Sequence, residues 1–198
     1  MSLYQDIDAK MVKLPEFQRE IIFRDPSDNR WNVTTAPKDI VTRIKSALKK
    51  RNAPVLVIYN HIGYWHANLV VGYNDNADSK GCPFVSNYDR LMNKRADEIA
   101  EEANEAQTEK EKKRLLRKAK KFRKRGNQVQ VSFDSNGGCK NKGTFYVRDS
   151  IYPNESMPLY DYDLSKVGEE KHLNSKVILR EYEWAENLLN HAFQIYPL

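Results

Sequence analysis

The sequence predicts an α+β domain built on an antiparallel β-sheet. Three observations lead to this class: short β-branched runs, amphipathic helical stretches that alternate with them, and one densely charged segment between two strands. A length of 198 residues, with 40% hydrophobic and 11% aromatic residues, suits one folded unit with a sizeable core. Residues 1–198 are therefore expected to form a single domain.

The first half of the chain predicts a helix followed by two strands. Residues 38–50, KDIVTRIKSALKK, place apolar side chains at helical spacing, and residues 34–37, TTAP, favour a capped start with a proline near the first turn. Residues 55–59, VLVIY, are β-branched and predict a strand, and residues 69–73 predict a second strand.

The second half predicts two more strands and a terminal helix. Residues 128–133, QVQVSF, alternate apolar and polar side chains and predict a third strand. Residues 144–149, TFYVRD, predict a fourth strand that follows a turn at residues 141–143. Residues 175–197 contain apolar side chains at helical spacing and predict an amphipathic helix.

A charged helical insertion is expected over residues 84–127. Residues 97–109 carry six acidic and no basic side chains, and residues 110–125 carry eleven Lys or Arg against one Glu. Both blocks contain apolar stripes of helical period, and Thr108 with Glu111 has the capping-box form that starts a new helix. The sequence therefore predicts a helical hairpin in which the acidic arm neutralises the basic arm.

The net charge of +6 is consequently local to the insertion rather than spread over the chain. A patch that binds nucleic acid or another acidic surface is the alternative to self-pairing. Nucleic acid is not favoured as a partner, because Phe122 is the only aromatic residue among these basic residues and no zinc finger or related motif accompanies them. A membrane span is not expected, since no run of about 18 apolar residues occurs.

Two stretches resemble the papain-like cysteine peptidases. Residues 66–75, HANLVVGYND, resemble the strand that begins with the catalytic histidine of that family, and residues 143–150, GTFYVRDS, resemble the strand that ends in its Asn or Asp. The similarity covers residues 17–73 and 140–152. It corresponds to the C-terminal, β-rich half of such an enzyme and implies an antiparallel half-barrel of papain-like type.

The resemblance implies a thiol peptidase site around His66 and Asp149. If their strands are antiparallel neighbours, the start of one lies beside the end of the other, so that Asp149 can orient His66 as general acid and base. Tyr64 and Trp65 flank the histidine as packing residues or as a substrate wall, and Tyr152 is in a position to shield the pair from water. The implied substrate is a peptide or protein, and no cofactor or metal is expected.

The two cysteines are not expected to supply the nucleophile. Cys82 and Cys139 lie at the far end of the two strands, where a disulfide would tie the base of the insertion; two free structural thiols are the alternative. The Gln-x5-Cys stretch that carries the family's oxyanion-hole Gln and nucleophile does not occur here. The resemblance therefore implies a Cys-bearing segment or a separate chain outside these residues, and favours secretion.

Two other functions remain open at this point. The chain could be an inactive pseudo-peptidase that binds peptides, or an interaction protein that docks its basic hairpin on an acidic partner. Pairing of two copies would hide the face that the other half of an enzyme normally covers. His61 precedes the histidine strand and is expected to be a loop or surface residue, with a position in the lining of the cleft as the alternative.

Overall fold

The computed structural model describes residues 17–26, 31, 36–149 and 177–197. The strands within these residues are β1 (Phe17–Arg24), β2 (Val55–His61), β3 (Tyr64–Asn74), β4 (Thr144–Asp149), β5 (Val177–Glu181) and β6 (Leu189–Pro197). The helices are α1 (Ile40–Arg51), α2 (Pro83–Ser86), α3 (Tyr88–Asn104), α4 (Glu109–Ser135) and α5 (Tyr182–Leu188).

The six strands form one open sheet in the order β1-β6-β2-β3-β4-β5. Every neighbouring pair is antiparallel. The predicted α+β class with an antiparallel sheet is therefore confirmed. The order also shows that the chain returns at its C-terminal end to insert β6 between β1 and β2, which the sequence did not predict.

The two faces of the sheet differ in burial. Alternate residues of β2, Val55, Val57 and Tyr59, are fully buried against the helices, as is Phe145 of β4. Residues that point to the other face remain exposed, including Leu69, Val71 and Ile195. Because successive strand residues point to opposite faces, one face carries the core and the other meets solvent.

Helix α1 forms where the sequence predicts it. Ile40, Ile44 and Ala47 repeat at helical spacing and are buried in the core. Asn52 caps the C-terminal end of the helix: it adopts a left-handed conformation and donates its N–H to the carbonyl of Leu48. The start differs from the prediction, because Asp39 occupies the N-cap without a side-chain capping bond and residues 34 and 35 lie outside the described part.

The predicted helical hairpin is present as α3 and α4. Thr108 is the N-cap of α4, and its hydroxyl accepts a hydrogen bond from the N–H of Glu111 at 3.2 Å. An ion pair between Arg123 and Asp97, 2.5 Å apart, crosses between the arms. The apolar stripes of both helices are buried. No helix in the described residues has the length and apolar character needed to cross a bilayer.

The prediction of a third strand at residues 128–133 is wrong, because these residues belong to α4. Val129 and Phe133 are four residues apart and buried, whereas Val131 between them is 57% exposed. The alternating pattern therefore comes from three apolar residues of one helix. Two of them face the core and the third faces solvent. The helical insertion extends to Ser135, beyond the expected boundary at residue 127.

The prediction of one helix over residues 175–197 is also wrong. The described part of this stretch is a strand, a short helix and a second strand, β5, α5 and β6. Trp184, Ala185 and Leu188 of α5 are buried, while β5 pairs with β4 and β6 pairs with both β1 and β2. Pairing with strands that are distant in sequence overrides the local helical spacing.

Helices α3 and α4 approach closely at Gly126, which leads to a first prediction. A Cβ atom at this position would lie 2.6 Å from Asp89 Oδ1 and 2.9 Å from Met92 Cβ. Gly to Ala usually stabilises a helix by about 1 kcal/mol, but overpacking costs roughly 1–3 kcal/mol. We expect Gly126→Ala to lower the free energy of unfolding in urea. The neighbouring exposed substitution Asn127→Ala is the control, and a gain in stability in both variants would contradict close packing.

Candidate functional site

The register of β3 and β4 brings the predicted pair together. Asn68 of β3 lies directly opposite Asp149 of β4, and His66 is two residues before Asn68 on the same face. His66 Nε2 lies 2.7 Å from Asp149 Oδ1, and both side chains are buried. The predicted adjacency of these two residues is therefore confirmed.

The contact with Asp149 determines which nitrogen of His66 carries hydrogen in the neutral ring. An ionised carboxylate only accepts hydrogen bonds, so the 2.7 Å contact requires a hydrogen on Nε2. Nδ1 is then a free base in the neutral tautomer. The geometry thus leaves Nδ1 as the nitrogen that can take up a proton.

The second oxygen of Asp149 also has buried partners. Asn68 Nδ2 donates to Oδ2 at 3.3 Å, and Arg180 Nη2 lies 3.8 Å from the same oxygen. Arg180 is 1% exposed and places its guanidinium carbon 4.4 Å from the centre of the Phe84 ring. The buried negative charge of Asp149 therefore faces a buried positive charge rather than solvent.

Aromatic rings hold the imidazole in place. Tyr59 of β2 is paired with His66 across the strands, and its ring lies edge-on to the imidazole with centroids 5.5 Å apart. Tyr59 also packs edge-on against Trp184 at 5.3 Å, and both side chains are fully buried. The orientation of His66 is thus set by packing as well as by its hydrogen bond.

A tight turn between β2 and β3 fixes the position of this strand. Ile62 and Gly63 both adopt positive φ, 47° and 87°, as a two-residue hairpin turn of type I′ requires. The N–H of Gly63 donates to Asn60 Oδ1 at 2.6 Å, and a Cβ on Gly63 would meet the Phe122 ring at 2.4 Å. The turn that precedes His66 is therefore held in place by its hydrogen bond and by close packing against α4.

His61 belongs to the site, although the sequence suggested a loop or surface residue. It ends β2, its ring centroid lies 5.4 Å from that of His66, and it stacks on Phe84 at 6.0 Å. Burial, followed by the nearby His66 and Arg180, lowers the pKa of His61 to about 3. His61 is therefore neutral at physiological pH and acts as a packing and hydrogen-bonding group.

The other predicted site residues have different outcomes. Trp65 alternates with His66 along β3, so its side chain is on the opposite face, where its ring contacts His191 at 5.6 Å. Tyr64 is 56% exposed at the end of the hairpin. Tyr152 lies outside the described residues. The structure thus does not bring Trp65 to the His66 side of the sheet.

Cys82 and Cys139 form the predicted disulfide, with Cα atoms 5.5 Å apart. Cys82 precedes α2 and Cys139 follows α4, so the bond joins the two ends of the helical insertion. A carboxylate oxygen of Glu183 lies within 4.8 Å of both sulfur atoms, but bonded sulfurs are not thiolates and do not ligate a metal. The chain contains no third cysteine, so none of its 198 residues offers a free thiol here.

Asn68 and Arg180 were missed by the sequence analysis, and His61 was considered there with the cleft only as the alternative. Asn68 carried a signal, since it lies two residues after His66 and must share its face of a strand. Arg180 carried none, because its approach to Asp149 depends on the pairing of β4 with β5. The misassigned terminal helix concealed that pairing.

Glu181, the last residue of β5, has a buried carboxyl that gives a prediction for pH dependence. It accepts a hydrogen bond from the N–H of Val85 at 2.7 Å, and burial raises its pKa to about 7. The unfolded chain releases this proton near pH 4.5. Glu181 therefore costs no stability below that pH, and its penalty grows as pH rises to about 7 and is then constant.

We expect Glu181→Gln to gain stability over the wild type as pH rises from 5 to 8. Glutamine keeps the acceptor for Val85 and removes the buried charge. Burial raises the pKa of Glu181 from 4.5 to about 7, so the gain cannot exceed about 3 kcal/mol. Urea unfolding of both proteins at the two pH values measures it. An unchanged difference between them would show that Glu181 releases its proton equally in the folded and unfolded chains.

Comparison of the chain with protein-family models, with curated proteins and with solved structures found no match.

Proposed function

We propose that this chain is the histidine-bearing half of a papain-like thiol peptidase. The observation that carries the proposal is the contact of His66 Nε2 with the buried carboxylate of Asp149, which leaves Nδ1 as the free base. The order of strands supports it, since the histidine strand is followed by an antiparallel neighbour that ends in the acidic residue. Both strands are those whose sequences resemble the family.

His66 acts in this proposal as the general base and then the general acid. Its Nδ1 takes the proton of a thiol, and the thiolate attacks the carbonyl carbon of a peptide bond. Asp149 accepts the Nε2–H bond throughout and stabilises the imidazolium. The imidazolium then returns the proton to the leaving amine, and a water molecule, deprotonated by the same nitrogen, releases the acyl group.

The thiol and the oxyanion-hole Gln come from a Cys-bearing segment or chain outside these 198 residues. Both cysteines of the chain are joined in a disulfide, so neither supplies the nucleophile. Disulfides persist in oxidising compartments, which supports secretion or another location outside the reducing cytosol. The substrate is a peptide or protein, and the chemistry requires no cofactor.

A thiol probe tests this proposal on protein isolated from its source. The native assembly that contains this chain is treated with a peptidyl epoxide, and labelled cysteines are located by mass spectrometry. We expect a labelled cysteine on an associated segment or chain outside these residues. His66→Ala should slow its labelling roughly a hundredfold, since a positioned general base typically contributes that much or more.

His191→Ala is the matched control, because His191 lies on the opposite face of the sheet in contact with Trp65. Its labelling rate should equal that of the wild type. If His66→Ala is labelled as fast as the wild type, His66 is not the general base. A native assembly without any labelled cysteine would instead support the inactive, peptide-binding pseudo-peptidase.

A further inference from the structure

The N-terminal half of α4 lines an open groove of about 850 Å³, which we call the basic groove. Trp31 forms one wall, and Thr108 and Glu111 lie at the helix start. The cations that line it are Lys110, Lys113, Arg114, Arg117, Lys118 and Lys121. Six cations and one carboxylate give this groove a strong positive charge.

Across the residues that the structure describes, no ion pair of 4 Å or less joins a cation of the groove to the acidic arm of the hairpin. The cross-arm pair of Arg123 with Asp97 lies outside the groove, and Arg114 pairs at 3.6 Å with Glu111 of its own helix. Among the described residues, Lys110, Lys113 and Lys118 have no acidic partner. Within the described part of the chain, few ion pairs therefore compete with a ligand for this positive charge.

The cations repeat along one face of the helix. Positions 110, 113–114, 117–118 and 121 are separated by three or four residues, so that each turn of about 5.4 Å presents one or two cations. The row extends over roughly 16 Å at 1.5 Å per residue. This spacing suits a linear polymer that carries a negative group on each of its repeating units.

Trp31 gives the groove an apolar wall beside the charges. Its ring packs edge-on against the buried Phe122 at 5.1 Å, and Lys121 Nζ lies 6.0 Å from its centroid. Such a ring can pack against the apolar face of a sugar while the lysines pair with its anionic groups. A single such ring is too little for the series of stacked bases that single-stranded nucleic acid requires.

We propose that the basic groove binds an acidic polysaccharide, one that carries sulfate or carboxylate groups along its length. The concave groove fits a polymer strand better than a flat bilayer. The Cys82–Cys139 bond is typical of chains in oxidising, extracellular environments, which favours an extracellular polymer over nucleic acid. This inference is independent of the peptidase proposal, since it uses none of the residues around His66.

The test compares two triple variants of equal charge by calorimetric titration with a heparin oligosaccharide. The groove variant is Lys113→Gln, Lys118→Gln and Lys121→Gln. The control is Lys112→Gln, Lys120→Gln and Lys124→Gln, which lie on the same helix but outside the groove lining. We expect the groove variant to bind roughly ten- to a hundredfold more weakly. Each substitution removes one surface ion pair with the ligand, and such a pair changes the affinity by up to about fivefold.

The control variant should keep its affinity within about threefold of the wild type, and binding should weaken steeply with salt. If both variants lose the same affinity for heparin, the attraction is to the whole positive helix, and the proposal of a specific site in the basic groove is wrong. The proposal is also wrong if the wild type does not bind heparin at low salt. Tighter binding to single-stranded DNA of the same charge, or to phosphatidylserine vesicles, would overturn the assignment to a polysaccharide.

Discussion

Replacing Asp149 with alanine is expected to lower the free energy of unfolding by about 3–5 kcal/mol, the usual cost of removing one partner from a buried ion pair. Arg180 is 1% exposed and would lose the carboxylate that lies 3.8 Å from its Nη2. Asn68 would also lose an acceptor at 3.3 Å. Chemical denaturation of the purified variant, monitored by tryptophan fluorescence, measures the loss.

A double-mutant cycle separates the charge pair from the rest of the site. Arg180→Met removes the cation and keeps much of the side-chain volume against Phe84. If the two charges balance each other, the double variant Asp149→Ala with Arg180→Met should be more stable than the sum of the single losses implies. Additive losses would mean that Arg180 and Asp149 do not depend on each other in the folded protein.

Breaking the disulfide is expected to cost a similar amount of stability. The bond closes a loop with a sequence separation of 57 residues. Loop-closure entropy for that length corresponds to about 4 kcal/mol, and native disulfides typically contribute roughly 2–5 kcal/mol. We expect a reducing agent to lower the denaturation midpoint of the wild type.

The double variant Cys82→Ala with Cys139→Ala is the control for the action of the reductant. It should unfold at a lower denaturant concentration than the oxidised wild type, and its midpoint should not respond to the reductant. A wild type that is equally stable in both conditions would show that the two cysteines are not bonded.

The sequence could predict the histidine and its carboxylate because each lies in a short stretch that resembles a strand of the papain-like peptidases. If these two strands are antiparallel neighbours, the start of one lies beside the end of the other. The strand that the sequence suggests at residues 128–133 would separate them along the chain, but those residues are helical, and β3 pairs directly with β4. The helical insertion between the strands does not alter this, since it leaves and rejoins the sheet at Cys82 and Cys139. His66 and Asp149 could therefore be paired before any three-dimensional information.

The remainder of the site could not be predicted, because it depends on strand pairing in the C-terminal region. Arg180 reaches Asp149 only through the pairing of β5 with β4. Residues 175–197 satisfy helical spacing, and the strands that override it are far away in the sequence. Residues 128–133 show the opposite error, where a continuing helix overrides an alternating pattern that favoured a strand.

The disulfide also determines how the chain responds to tension. A force applied to the two termini passes from Cys82 directly to Cys139, and the enclosed loop carries no load while the bond is intact. Full extension of the oxidised chain should therefore fall short of that of the reduced chain by roughly 200 Å, at about 3.3–3.6 Å per residue. Helices α3 and α4 thus lie on a covalently closed branch that stretching of the sheet does not unravel.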